Sequence, residues 1–458
     1  MNNSGNADII KLLENKDLRI FFSGIGGISM SAIAEALHRK GYKIGGSDTE
    51  DKDIIRKLRG LGMEIFSSHA YKNVQGYDLL VYMARIKNDN PEMIYAAENH
   101  IPAIKRAEML GILMGEYKTS IGVSGTHGKS STSSMISEIF IKANKNPTFF
   151  IGAVYPPFDS AYHIGNDDYC IVESDEFADS FLNFYPDIAV VLNIEMDHPD
   201  FFKDVEDVIS SFEEFLATTK KAAVINGDDM NTLKAAKNFN KKIVTYAVKN
   251  QDCDICARNI IYNNGYAEFD IFAYNEHYAK IKLSVPGEFN IYNATAAAAC
   301  AHMCGIGGEI VAEALSGFKG AGRRFEYKGM INNAKVYEDY AHHPTEITKT
   351  LLGIKNLDCN KIWCVLQPHT YSRTHELLND LIKSLSHADN IILTEIYSAN
   401  EKNMYNISSK DFVSKIENAV FIDDFNEISE YLKSNVRDND IVVVMGAGDI
   451  NKLFGYMF

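Results

Sequence analysis

Short apolar stretches, each closed by glycine or polar residues and followed by a segment with helical spacing, recur along the chain and predict an α/β protein. Leu18 to Ser23 is apolar, runs into a glycine turn, and is followed by helical spacing from Met30 to Arg39. A second strand around Tyr42 to Ile44 ends in Gly45-Gly46-Ser47-Asp48. This is the start of a doubly wound unit, in which ligands are expected at the carboxyl ends of the strands. A new strand, Ser120 to Ser124, runs directly into Gly125-Thr126-His127-Gly128-Lys129-Ser130 and a small-residue helix from Ser131. Asp168 to Val172, Ile188 to Leu192 and Ala222 to Ile225 are further apolar strands whose ends turn polar. Parallel strands read this way when their carboxyl ends build a site. Between 250 and 285 the pattern alternates, with aromatics and Asn264-Gly265 predicting a small antiparallel hairpin before a helix from Ile291 to Cys304. Lys361 to Leu366, Asn390 to Thr394 and Ile441 to Met445 are strands of a third α/β unit. The expected domains are 1–115, 116–320 and 321–458.

Composition agrees with this division. A chain of 458 residues, 46% hydrophobic and 23% charged, is a soluble globular protein too long for one ordinary core. Its net charge of −15 argues against general nucleic-acid binding, which needs an excess of Lys and Arg. The residues from Met1 to Lys16 hold no apolar signal core, and no apolar run is long enough to span a bilayer, so a cytoplasmic protein without membrane insertion is expected. Seven scattered cysteines form no disulfide framework. Cys253 and Cys256 make a single CxxC, best read as two reduced thiols because no second pair or histidine pair accompanies it.

The sharpest chemical signal is Gly125 to Ser130. Glycines between a strand and a helix let backbone amides close on phosphate oxygens, the helix start adds positive potential, Lys129 brings a mobile charge, and Ser130 offers a hydroxyl to Mg²⁺. The common longer loop would place glycine where this chain has Val123, so the loop is short. Acids follow at strand ends, first Glu173, Asp175 and Glu176, then Asn193, Glu195, Asp197 and His198. These are fit to hold a metal on nucleotide phosphates or to orient a reacting carboxylate. In the first unit, Gly24-Ile25-Gly26-Gly27-Ile28-Ser29 with Asp48 downstream can cradle a diphosphate and its ribose, from a dinucleotide or a nucleotide sugar. The third unit offers Arg323 and Arg324, then His342 and His343, then Arg373, as anion-binding groups.

Taken in order, these segments resemble the Mur ligases of cell-wall peptide assembly, in particular the branch that attaches the first amino acid. The likeness runs from about residue 19 to 450 and includes Arg106 to Leu110, Pro286-Gly287 with Asn290 and Asn293, Arg323 to Glu326, Asp339 to Ile347, Gln367 to Thr374 and Gly446 to Asp449. It implies an N-terminal Rossmann-like domain, a central P-loop-type domain and a C-terminal Rossmann-like domain. The implied reaction is ATP- and Mg²⁺-dependent joining of L-alanine to the lactyl carboxylate of UDP-N-acetylmuramate, through an acyl-phosphate. By that resemblance Gly24, Gly26, Gly27, Ile28, Ser29 and Asp48 hold the UDP-sugar. Gly125, Thr126, His127, Gly128, Lys129, Ser130, Ser131, Asn290, Asn293, Arg324 and Asp339 hold ATP. Ser130, Glu173 and His198 are the implied metal ligands, Lys129, His198 and Glu173 the catalytic set, and His343 and Arg373 contacts on the amino-acid side. Monomer or homodimer is expected.

The chain departs from the family pattern at Ser29, at Phe289, and in Glu338-Asp339-Tyr340-Ala341. Where many members carry a carbamylated lysine, Glu213 stands and is expected to supply the negative charge. The main alternative is a recycling ligase that adds a murein tripeptide to the same UDP-sugar, but Ser180-Phe181-Leu182 favours the alanine branch. An NAD-dependent oxidoreductase would leave the second phosphate loop without a use. A nucleotide-binding switch would bind ATP and release no phosphate.

Overall fold

The structure, a computed structural model, describes residues 3–83, 86–199 and 201–458 and has the three-domain α/β architecture the patterning implied. The first sheet contains β1 (Arg19–Ser23), β2 (Lys43–Ser47), β3 (Glu64–Phe66), β4 (Leu79–Tyr82) and β5 (Ala103–Lys105). All are parallel in the order β3-β2-β1-β4-β5, so the strand order reverses between β1 and β4. The glycine turn sits at the carboxyl end of β1, at that reversal, where a crevice opens by topology. Gly24 N and Ile25 N donate to Ser47 O, and Gly26 N donates to Asp48 Oδ2 at 2.8 Å. A Cβ on Gly26 would lie 2.7 Å from that oxygen, so only glycine allows the close approach.

The second strand is longer than its apolar pattern. Gly45 and Gly46 belong to β2, because a side chain on Gly46 would meet Phe22 O and Ile25, and one on Gly45 would meet the Tyr77 ring. Beneath the crevice lies a buried carboxylate. Glu92 Oε2 accepts from Ser23 Oγ (2.6 Å), Ser47 Oγ (2.9 Å) and His69 Nδ1 (2.8 Å), and Oε1 accepts from Asn73 Nδ2 (3.0 Å). One side chain thereby ties the ends of β1 and β2 to the helix Pro91–Glu98.

The second sheet has ten strands: β6 (Thr119–Ser124), β7 (Thr148–Tyr155), β8 (Ser160–His163), β9 (Tyr169–Glu173), β10 (Ile188–Val191), β11 (Ala222–Asn226), β12 (Lys242–Ala247), β13 (Ile255–Asn263), β14 (Tyr266–Ala273) and β15 (Glu276–Lys282). Their order is β15-β14-β13-β12-β11-β10-β6-β9-β7-β8, with β6 parallel to both β10 and β9. The phosphate loop therefore rises from the middle of a parallel array, flanked by the two strand ends that carry the acids. The expected hairpin is a three-stranded antiparallel meander, β13 to β15, joined to the same sheet through β12. Asn264 and Gly265 turn it with φ of 47° and 75°. The helix Glu288–Met303, whose inner face is largely alanine, packs closely over these strands.

The third sheet contains β16 (Glu326–Ile331), β17 (Ala334–Asp339), β18 (Ile362–Leu366), β19 (Asn390–Leu393), β20 (Ala419–Phe421) and β21 (Ile441–Met445), in the order β16-β17-β21-β18-β19-β20. Only β16 is antiparallel, and β21 is buried along its whole length.

Glu92→Ala is expected to destabilise the protein by about 3 kcal/mol, since it leaves several buried donors without their acceptor. Glu92→Gln, which keeps an acceptor oxygen, is expected to lose less. Denaturant midpoints at constant slope measure this, and equal losses in the two variants would refute the network's role.

Candidate functional site

The phosphate loop is shaped by two glycines at positive φ, Gly125 (142°) and Gly128 (86°), and by tight neighbours. A Cβ on Gly128 would lie 2.6 Å from Asn293 Oδ1, and one on Gly125 would lie 2.9 Å from Leu192 Cβ. Asn193, at the end of β10, clasps the loop from both sides: its Oδ1 accepts from His127 N (2.8 Å) and its Nδ2 donates to His127 O (2.9 Å). Glu195 N donates to Thr126 Oγ1 (2.9 Å). Lys129 opens the helix Lys129–Lys142, and its ammonium donates to Gly125 O (2.8 Å) and to Glu176 Oε2 (2.7 Å), with Asp175 at 3.4 Å. Burial opposes that charge, but Glu176 and Asp175 outweigh it and hold the Lys129 pKa above its ordinary value. Burial pushes Glu176 the other way, up to about 7 against the pull of Lys129.

Side chains of the C-terminal domain meet this loop directly. Arg324 Nη2 donates to Ser130 Oγ (3.3 Å) and Thr345 Oγ1 donates to Glu195 Oε2 (2.9 Å). Arg373 contacts Asp197 Oδ1 at 2.9 Å, with both side chains at most one-tenth exposed. Burial alone would raise the Asp197 pKa, and Arg373 reverses this and holds it well below the carboxylate range. His198 follows Asp197 at a φ of 54°, and Thr370, just ahead of Arg373, has a φ of 65°. Strained backbone on both sides of one buried ion pair is typical of a working site.

His127 lies 3.2 Å through Nδ1 from Glu346 Oε1 and 3.4 Å through Nε2 from Glu195 Oε2, the latter off the line of a hydrogen bond. Burial lowers its pKa, but the two carboxylates raise it to about 9. Nitrogen and oxygen atoms of His127, Glu195 and His343 come within 4.8 Å of one another, which has the composition of a metal site. The protons argue otherwise. His343 Nδ1 accepts from Thr345 N, which leaves the proton on Nε2, and the carboxylates that hold the His127 pKa at about 9 favour its protonated form.

Residues 19–118, 123–301 and 323–448 match, in turn, the Mur ligase family catalytic domain, the Mur ligase middle domain and the Mur ligase glutamate ligase domain. The chain belongs to the Mur ligase family. UDP-N-acetylmuramate--L-alanine ligases of Caldicellulosiruptor saccharolyticus and Acetivibrio thermocellus are 42% and 41% identical to it, covering 95% and 97% of this chain and 97% and 96% of theirs. The crystal structure of UDP-N-acetylmuramate-alanine ligase from Thermotoga maritima is similar with a TM-score of 0.78 at 28% identity, over 96% of this chain and 98% of that one. A murein peptide ligase from Psychrobacter arcticus shares the fold, with a TM-score of 0.71 at 21% identity over 96% and 98% of the two chains.

One cavity of this Mur ligase opens on the loop, and a second is lined by Asp175, whose carboxylate is 3.4 Å from the Lys129 ammonium. The first, of about 500 Å³, lies between the central and C-terminal domains and gathers His127, Gly128, Ser130, Ser131, Asn290, Asn293, Arg324 and Asp339 from the expected nucleotide set. Asn290 is pinned to Pro286 O (2.7 Å), and Asn293 donates to Asn290 Oδ1. Asp339 is raised to about 6 by burial, against Arg324. Asn226, Asp228, Tyr246, Lys249 and Tyr292 also line it and were not expected, although the polar end of β11 was a signal for Asp228. The second cavity, of about 280 Å³, lies between the N-terminal and central domains. It brings Ile28 and Ser29 of the glycine turn to Glu173 and Asp175, with Arg106 donating to Ser29 Oγ at 2.9 Å.

The structure sets apart some residues the sequence had grouped. Ser130 lines the first cavity and Glu173 the second, where Glu173 Oε2 accepts from Gly152 N at 2.7 Å. The acids grouped with His198 within 4.8 Å are Asp175 and Glu176. His343 caps the helix Pro344–Lys355 beside His127, while Arg373 sits with Asp197 and His198. Glu213, expected to supply a negative charge, lies half-buried on the helix Val205–Thr218 and accepts from Asn238 at 2.5 Å, while the acids that gather at His198 are Asp175 and Glu176.

The His127 charge has a pH signature. Its pKa is raised in the folded protein, so this stabilisation is complete below pH 6.5 and disappears as pH rises through about 9. It amounts to on the order of 3 kcal/mol at most. Unfolding midpoints of the native protein should fall across that window, and those of His127→Gln should not; parallel profiles would refute the charge assignment.

Proposed function

We propose that this Mur ligase joins L-alanine to the lactyl carboxylate of UDP-N-acetylmuramate, with ATP as phosphoryl donor and Mg²⁺ as the accompanying ion. The observation that carries this reading is the position of Lys129, in a loop that lines one cavity and 3.4 Å from Asp175, which lines the other. The cavity toward the first domain suits the activated acid, and the cavity toward the third suits the nucleotide. Residues 1–115 then serve the UDP-sugar, 116–320 ATP and 321–458 the amino acid. Near-full-length likeness to L-alanine ligases supports the choice of amine. Among the described residues no helix is long and apolar enough to cross a membrane, and a cytoplasmic enzyme fits this substrate set.

Mg²⁺ fits the donor set, because Asp175, Glu176 and His198 converge and Glu176 Oε1 is buried without a hydrogen-bond partner. Asp175, Glu176 and His198 would hold it. Bound there, the ion would neutralise phosphate charge. The lactyl carboxylate oxygen bonds to the γ-phosphorus as the bond from that phosphorus to the bridging oxygen breaks, leaving ADP. Lys129, held by Gly125 O and Glu176, is oriented to meet the charge that gathers between the two anions. Arg106 and Ser29 position the carrier, and Arg373 and His343 face the amino acid. The free amine attacks the acyl carbon, and the tetrahedral intermediate expels inorganic phosphate to leave the amide.

The test is incubation with ATP, Mg²⁺ and UDP-N-acetylmuramate, offering L-alanine, glycine, L-serine or the murein tripeptide, with phosphate release and product mass followed. L-Alanine is expected to give product fastest, and tripeptide product alone would favour the recycling reaction. Lys129→Ala is expected to lower kcat by about 10³ with a small change in the KM for the carrier. A loss of less than tenfold would remove Lys129 from the chemistry.

A further inference from the structure

We propose that Glu346 is a positioning residue which, through His127, makes the working shape of the phosphate loop depend on docking of the C-terminal domain. The proposal rests on the ligase reading above and adds a control step to it.

A phosphate loop works through its backbone amides, so a buried charged side chain within it needs a reason. The His127 backbone is fixed by Asn193, and its side chain points out of the central domain to a carboxylate of another domain. That carboxylate is rigid. Glu346 occupies the third position of the helix Pro344–Lys355, where Oε2 accepts from His342 N (3.2 Å) and His343 N (3.3 Å). One oxygen is thus committed to the helix start, and the other, Oε1, reaches His127 Nδ1 at 3.2 Å. The same helix places Thr345 and Lys349 on Glu195, at 2.9 and 3.8 Å.

The charges around the contact make it a coupled unit. Glu195 and Glu346 face His127; His342 stands 3.5 Å from Glu346, and Arg324, Lys349, His343, Asp197 and Asp339 complete the surroundings. With the helix withdrawn, His127 keeps Glu195 alone and one of the loop's tethers is gone. With it docked, a buried imidazolium is shared by two carboxylates from two domains. The unit that brings the amine is therefore the unit that completes the loop, so phosphoryl transfer waits for the amine side and the reactive acyl-phosphate is not formed early and hydrolysed.

Glutamine at the third helical position caps as glutamate does. Glu346→Gln therefore keeps the helix and removes the charge that crosses the interface. Expected in Glu346→Gln are a fall in kcat of at least about tenfold, more ATP consumed per amide formed, and a carrier KM within about twofold of the native value. His127→Gln should behave alike, and the double variant should be no worse than the poorer single one. A kcat for Glu346→Gln within twofold of native, or losses that multiply in the double variant, would overturn the proposal. Energy transfer between dyes on the first and third domains provides a second readout independent of catalysis. ATP-dependent closure in the native protein, weakened in Glu346→Gln, supports the coupling even if no amine yields product, and equal closure in both overturns it. Absence of product from the native enzyme with every amine counts against the ligase reading alone.

Discussion

The active region is organised around a buried ammonium. Lys129 cannot leave its charge unpaired at this depth, and the partners it takes are loop carbonyls and strand-end carboxylates. Those partners fix its orientation before any phosphate is considered. The same requirement spreads outward: Glu176 needs Lys129 to remain ionised, and Asn193 holds the loop from which Lys129 projects. Each group is stable there because the next is present. Such a network gives geometric definition more than net stability, which suits a site whose work is to present fixed charge to a reacting phosphoryl group.

Features set by local pattern are open in the chain, and features set by packing are hidden. Parallel strands with polar ends were legible, and so was the loop from Gly125 to Ser130, because glycine, lysine and a small hydroxyl at that spacing serve few other purposes. Gly45 and Gly46 misled, since glycine signals a turn locally and a close approach only when Tyr77 and Ile25 are known to lie against it. The extra meander strand was missed because an alternating pattern does not count its own turns. Tyr246, Asp228 and Lys249 entered the first cavity unannounced, brought there by the neighbouring strand ends of β11 and β12. Glu346 was hidden for a related reason: a glutamate three residues after a histidine reads as a helix cap, and its second oxygen acquires a role only when two domains meet.

Two cavities linked through Lys129 and Asp175 answer a difficulty in the chemistry. An acid activated beside ATP must be protected from water, yet its amine partner has to enter. Ser130 lines the cavity at the C-terminal domain, and Glu173 and Asp175 line the one at the N-terminal domain, so under the proposed reading the nucleotide and the acid approach from different domain interfaces. Arg324 from the C-terminal domain and Arg106 from the N-terminal domain each reach a serine near this boundary, Ser130 and Ser29. In the proposed reaction the substrates are thus handled by separate domains, and the catalytic geometry belongs to their interfaces.

The shortness of the phosphate loop fits the same arrangement. Val123 is where a longer loop would begin, but here it is a buried strand residue paired with Val190 on one side and Glu173 on the other. The strand extends further into the site, and the amides of a longer loop are given up. A loop with fewer donors has less positive potential of its own. The missing charge has to come from elsewhere, and Arg324 supplies it across the domain boundary, with Ser130 as its contact. A phosphate site that borrows charge from a separate domain is weak until that domain docks. For the proposed acyl-phosphate route this weakness is useful: the site reaches full strength only when the domain assigned to the amine is docked.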